Sequence, residues 1–196
     1  MKASEFPAQD RLLALEAALA ALTAQLESLT AQVQQHEENF SLVSDVARYL
    51  PLRDLLAAGR FQEADEQTQV ILFDCINSSL DDVTPEEIET FPVTPLRILD
   101  QIWRSHSGGR FGFGVQLGIY RELGGTIDTL IAQDVDLYRA FCDRVGWRKD
   151  GQFIEPQDQD VSETAAAGAL PRRCWSTPYG MKITNLILAR LISAGF

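Results

Sequence analysis

The sequence predicts an all-α protein, and three observations carry that prediction. Apolar residues recur at three- and four-residue spacing over most of the chain. Helix-start signals stand before these runs, as in Thr84-Pro85-Glu86-Glu87. Strand signals gather at one place, a tight turn at Asp150-Gly151 next to Phe153 and Ile154. The length of 196 residues suits one domain with an accessory segment. A net charge of −11 argues against nucleic acid as a partner and against electrostatic docking to an anionic membrane. No secretory signal and no run long enough to span a bilayer is visible, and Cys75, Cys142 and Cys174 form no metal or disulfide pattern. With only His36 and His106, a histidine-based metal site is not expected.

The first element is a long helix. Its seam runs Leu12, Leu15, Leu19, Leu22, Leu26, Leu29, Val33, then His36 and Phe40, in alternating steps of three and four. That is the narrow seam of a coiled coil, not the broad stripe of a globular helix. The flanking Glu16, Thr23, Gln25, Thr30 and Gln32 carry little charge, and leucine at both seam positions leaves dimer and trimer open. Residues 1–45 are therefore expected to form a coiled-coil helix that self-associates through 12–40, ahead of a helical domain at 46–196.

Ser41 is a candidate cap for a helix carrying Val46 and Tyr49, and Pro51 restarts it toward Leu52, Leu55 and Leu56. Gly59 ends that helix, and Phe61, Ala64, Thr68, Ile71, Leu72 and Cys75 mark the next. Thr84 caps a short helix with Pro85 at its first position, and Thr94-Pro95 repeats the device for a helix carrying Trp103. Between them Phe91-Pro92 is extended, because a residue before proline avoids the helical region. The acidic run Asp81, Asp82, Glu86, Glu87 and Glu89 reads as a solvated face, since its spacing fits no calcium loop.

The stretch 98–124 is a helix–turn–helix corner in which Phe111 and Phe113 alternate with Gly112 and Gly114. Its glycines follow a helix rather than a strand, which rules out a dinucleotide fingerprint. Residues 127–145 read as one or two helices, and 155–178 as a long loop of the kind that acts as a lid. Met181 to Leu191 closes the chain as a helix with Ile183, Leu186, Ile187 and Leu191 inward, and Asn185 and Arg190 as polar handles. No nucleophile–base pair, paired carboxylates or metal cluster is visible, so no enzyme activity is expected.

From about residue 50 an ordered set of motifs resembles the "genomes uncoupled four" family, tetrapyrrole-binding regulators of magnesium chelatase in chlorophyll biosynthesis. The set comprises Leu55-Leu56-Ala57-Ala58-Gly59, Ala64-Asp65 and Thr68, then Phe91-Pro92, Leu96, Asp100 and Ile102-Trp103. Ser107-Gly108-Gly109-Arg110-Phe111-Gly112-Phe113 with Val115-Gln116, and later Val145-Gly146-Trp147, complete it. Gly114 stands where the family has serine, and Ala169 where it has the histidine of G-H-L-P.

The resemblance implies a hand-like, multi-helix domain with an apolar groove, in photosynthetic cells, cytoplasmic or peripheral to photosynthetic membranes. The ligand it implies is protoporphyrin IX or magnesium-protoporphyrin IX, with an open-chain bilin as alternative, and the partner is the large subunit of magnesium chelatase. A ligand-free coiled-coil interaction module is the competing reading. A porphyrin needs apolar walls and cations or amides at its rim. The candidate tetrapyrrole-binding residues are Phe91, Arg110, Phe111, Phe113, Val115, Tyr120, Trp147, Leu170, Arg172, Trp175, Asn185 and Arg190. Cys174 is the cysteine best placed for covalent attachment.

Overall fold

The computed structural model describes residues 16, 19, 21–23, 25–30, 32, 46–79, 81–176 and 179–196. The chain divides into two compact units, Met1–Ala47 and Arg48–Phe196. In the first, the described residues between 16 and 32 are helical. Leu19, Leu22, Leu26 and Leu29 are 60–70% exposed there. The rest of the predicted seam, Leu12, Leu15, Val33, His36 and Phe40, and the expected Ser41 cap lie outside the described residues.

The second unit is built of helices. Residues 48–57 are helical (α1). They are followed by α2 (Phe61–Asp74), α3 (Pro85–Glu89), α4 (Val93–His106), α5 (Phe113–Glu122), α6 (Ile127–Ile131), α7 (Val135–Arg144) and α8 (Met181–Ser193). β1 (Arg148–Lys149) and β2 (Gln152–Phe153) pair antiparallel as the small hairpin expected at Asp150-Gly151. Both turn residues have positive φ, 53° and 79°, as a two-residue hairpin turn requires. The fold is all-α.

Local chemistry accounts for most boundaries. Gly59 takes φ 72° after α1, and the N–H of Arg60 reaches back to the Leu55 carbonyl. Thr84 and Glu87 form a capping box on α3, and Thr126 and Thr129 form a second on α6 that was not foreseen. Asp134 caps α7 by accepting from the N–H groups of Asp136 and Leu137. The predicted Thr94 cap is corrected: α4 begins at Val93 with Pro92 as its N-cap and no side-chain cap. Pro95 falls in the first turn, where a missing N–H removes no intrahelical bond.

The corner at 107–114 is held by a buried carboxylate. Asp100 on α4 accepts from the N–H of Gly114 at 2.7 Å, so it caps α5 from a neighbouring helix. Gly112 has φ 135°, and a β-carbon there would lie 2.6 Å from Asp100 Oδ1. Only glycine fits. Phe111 enters the core edge-on to Phe61 and Trp103, with centroids at 5.5 and 6.3 Å. Trp103 Nε1 donates to Thr68 Oγ1 at 2.9 Å, which satisfies the indole inside the core. Truncating Trp103 to alanine would cost about 3–5 kcal/mol.

Candidate functional site

The site is organised by α8 and by the segment 164–175. The sequence reads that segment as a lid, yet Ala165, Ala169, Leu170, Cys174 and Trp175 are buried. A loop can be buried only if its backbone polar groups find partners. Here side chains supply them, most of them distant in sequence. Gln116 Nε2 donates to the carbonyls of Gly168 and Pro171 at 3.0 and 2.7 Å. Trp147 Nε1 donates to the Ala169 carbonyl at 2.8 Å, and Trp175 Nε1 to that of Pro171 at 3.0 Å. The N–H of Gly112 donates to the Leu170 carbonyl. Asp65, buried on α2, accepts from the N–H groups of Arg172 at 2.7 Å and Arg173 at 3.2 Å. Burial raises the Asp65 carboxyl to about 6, and those two backbone donors pull against that rise.

Two recesses flank this strap. The first is an apolar slot lined by Leu72, Phe73, Ile88, Phe91, Leu96, Phe113, Cys174, Ile187 and Arg190, with a cavity of about 20 Å³. The second is an aromatic groove of about 130 Å³ lined by Tyr138, Trp147, Phe153, Arg172, Trp175, Ser176, Gly180 and Thr184. They adjoin across Phe113 and Trp175, whose ring centroids are 6.1 Å apart. Helix α8 borders both, with Thr184 on the groove and Ile187 and Arg190 on the slot.

The two recesses differ in the state of their arginines. Arg172 is buried, and its guanidinium donates to Gln159 Oε1 and to the Ile154 carbonyl. It also lies over the Trp147 ring at 5.6 Å. Burial lowers its pKa. Arg190 is half-buried and uses only Nε, which donates to the Phe91 carbonyl at 2.8 Å. Its other N–H groups have no hydrogen-bond partner among the described residues. The slot is thus an apolar cavity with one cationic side chain at its margin.

The candidate residues distribute unevenly. Phe91, Phe113 and Arg190 meet at the slot, and Trp147, Arg172 and Trp175 at the groove. Phe111 and Leu170 are fully buried core residues, and Val115 packs half-buried against that core. Tyr120 is buried, with its hydroxyl 2.8 Å from Thr129 Oγ1. Asn185 is buried on α8 and donates to the Leu130 carbonyl of α6 at 3.4 Å. Arg110 is exposed and donates to the carbonyls of Ala165 and Thr164, fastening the start of the strap.

The sequence reading did not single out Phe73, Ile88, Leu96, Ile187, Tyr138, Phe153 and Thr184 as site residues, nor Asp65, Gln116 and Asp100 as the groups that position it. A signal existed for the last three: each is a polar side chain set inside an apolar helical stripe. Cys142 and Cys174 are buried; burial pushes the Cys142 thiol up to about 12 and the Cys174 thiol well above its ordinary value. Gly114 and Ala169, the two departures from the motif, line neither recess. Gly114 faces Asp100, and Ala169 is fully buried.

Among the described residues no helix is long and apolar enough to cross a membrane, and no three His, Cys, Asp or Glu side chains stand ready to hold a metal ion. The profile of the family described as GUN4-like matches residues 43–187. A Ycf53-like protein of Synechocystis is 28% identical over 127 residues, covering 63% of this chain and 50% of that protein. The chain thus spans about half the length of that curated relative. The ligand-free structure of GUN4 from Arabidopsis thaliana superposes with a TM-score of 0.56 at 22% identity, covering 72% of this chain and 94% of that one. GUN4 from Chlamydomonas reinhardtii gives 0.52 at 24% identity, covering 71% and 86%. At these identities the two structures speak for the fold alone.

Proposed function

This chain belongs to the GUN4-like family of tetrapyrrole-binding regulators of chlorophyll biosynthesis, and from that premise we propose that it is a non-enzymatic porphyrin carrier. In this reading it binds protoporphyrin IX or magnesium-protoporphyrin IX at the slot along α8 and stimulates magnesium chelatase through that enzyme's large subunit. The supporting observation is the pairing of apolar walls with Arg190, whose terminal N–H groups have no hydrogen-bond partner among the described residues. A porphyrin presents a flat apolar face and two carboxylates, and Arg190 can take one carboxylate in a charge-assisted bond. Arg172 cannot serve in the same way without giving up Gln159 and the Ile154 carbonyl.

Size sets a condition on this reading. Pockets for ligands of drug size enclose about 300–1,000 Å³, whereas the slot holds about 20 Å³. Binding therefore needs the side chains of α2, α3 and the strap to part around the ligand. An open-chain bilin is the competing ligand. It would be held without a thioether to Cys142 or Cys174, because both thiols are buried and held protonated.

The test is a titration with protoporphyrin IX, magnesium-protoporphyrin IX and a bilin, following the ligand absorption band and tryptophan emission. Saturable binding of the cyclic ligands is expected. A flat response to every tetrapyrrole would overturn the carrier reading. Saturation by the bilin alone would replace the ligand. An unchanged magnesium-insertion rate when the loaded chain is added to the chelatase would remove the regulatory part.

A further inference from the structure

A third recess stands apart from the slot and the groove. Its cavity of about 710 Å³ is bordered by Arg97, Asp100, Gln101 and Arg104 of α4, by Gly114 near the head of α5 and by Phe196. Pockets for small ligands enclose about 300–1,000 Å³, so this recess has the room that the slot lacks. We propose that it binds a small oxyanion, a molecule carrying a phosphate or a cluster of carboxylates.

The donors define the ligand. Arg97, Gln101 and Arg104 follow one another at steps of four and three, so they share one face of α4, and all three are exposed. Arg97 spends Nη2 on the Ala194 carbonyl and lies 5.8 Å over the Phe196 ring. Its Nε and Nη1 have no hydrogen-bond partner among the described residues. Arg104 Nη1 stands 3.7 Å from Asp100 Oδ2, outside hydrogen-bond reach. Among the described residues neither Arg104 nor the Gln101 amide has a hydrogen-bond partner. A wall of unspent donors fits a ligand rich in oxygen, and a guanidinium meets a carboxylate or a phosphate with two parallel N–H bonds.

The charge of the wall has the matching sign. Asp100 is the one carboxylate among the lining residues; it is buried and already accepts from the N–H of Gly114 at 2.7 Å. Against it stand the guanidiniums of Arg97 and Arg104, so the lining is cationic on a chain whose net charge is −11. Exposed charges more than about 8 Å away are largely screened at physiological ionic strength, so the local balance decides what the recess attracts. Gly114, a departure from the motif that neither the slot nor the groove uses, lines this recess. A β-carbon there would lie 3.1 and 3.3 Å from the Asp100 carboxylate oxygens, tighter than ordinary contact. Glycine keeps that wall bare.

The test uses pyrophosphate, AMP and citrate as probes on the full chain. Binding is followed by calorimetry and by the amide resonances of Gly109, Gly114 and Gly195, which line the recess. Saturable binding of at least one probe is expected, with shifts centred on those glycines. Binding by the two phosphates alone would identify a phosphate ligand, and binding by citrate alone a carboxylate one. Arg97→Gln with Arg104→Gln should weaken the binding by roughly tenfold or more while the melting temperature and the porphyrin titration stay as they were. A flat response to every probe would overturn the proposal. So would binding that the double variant leaves unchanged, or binding that shifts none of the three glycines. Shifts there with protoporphyrin IX and with none of the oxyanions would give the recess to the porphyrin and overturn it as well. A failed porphyrin titration at the slot leaves oxyanion binding standing, so the two proposals fail separately.

Discussion

Arg172 and Arg190 look alike in the sequence, each an arginine near aromatic or apolar neighbours, and the structure gives them opposite work. Arg172 is spent on Gln159, the Ile154 carbonyl and the Trp147 face, whereas Arg190 keeps its terminal N–H groups. Replacing Arg190 with glutamine should weaken protoporphyrin binding by roughly tenfold, the lower end of a charge-assisted bond at a half-exposed site. The dimethyl ester of the same porphyrin should bind both proteins alike; an equal loss for the ester would mean that Arg190 acts through packing. Asp65 carries a second prediction. Its folded-state pKa of about 6 lies above its ordinary value of 3.8. A carboxyl raised in this way favours the folded state fully below about 3.8, and that contribution is lost as pH rises through 6. Asp65→Asn keeps an acceptor for the two backbone N–H groups and cannot ionise. Its melting temperature relative to the unsubstituted chain should therefore fall as pH drops from 7 to 4, and a pH-independent difference would remove the linkage. At the corner, Gly112→Ala should cost about 1–3 kcal/mol in a denaturant titration, because it forces positive φ on a residue already crowded by Asp100. Gly114→Ser, which restores the residue of the family motif, should leave porphyrin affinity unchanged, since Gly114 faces Asp100 and lines neither the slot nor the aromatic groove.

Among the elements, the strap 164–175 and α8 decide what the site can do. Helix α8 packs on α3, α5 and α6, and the strap is pinned to α2 and α5 by Asp65 and Gln116. Gln116→Leu would leave the buried Gly168 carbonyl without a donor, at about 1–3 kcal/mol, and the Pro171 carbonyl with the Trp175 indole alone. Thermal unfolding should register the loss, and amide exchange should quicken across 164–175 before it does elsewhere. A slot that must widen to admit a porphyrin predicts a second exchange signature. On ligand binding, amides of α3 and the first turns of α4 should change protection while those of α6 and α7 stay as they were. The caps on α3 and the end of α1 were readable because a capping box and a glycine act within four residues. The start of α4 was misread because Thr94-Pro95 has the look of a cap while Pro92 already sets the entry. The burial of the strap was not legible because most of its hydrogen-bond partners stand 22 to 107 residues away.

At the scale of the whole chain, periodicity carried the fold class, and ordered motifs carried the family. Both are properties of neighbours in sequence. A seven-residue seam is a local pattern, so self-pairing of the N-terminal helix could be expected from the chain alone, and Leu19, Leu22, Leu26 and Leu29 are exposed. The all-α fold was legible for the same reason, since apolar residues at three and four fix which side of each helix turns inward. What the sequence could not determine is which partner each inward residue meets. Phe111 and Phe113 are two residues apart, equally aromatic and equally buried, yet one joins Phe61 and Trp103 while the other forms a wall of the slot beside Trp175. Only tertiary packing separated them. Phe111 stands before α5 and Phe113 opens it, and Gly112 at φ 135° turns the backbone between them, so the two rings leave the chain in different directions and meet different neighbours.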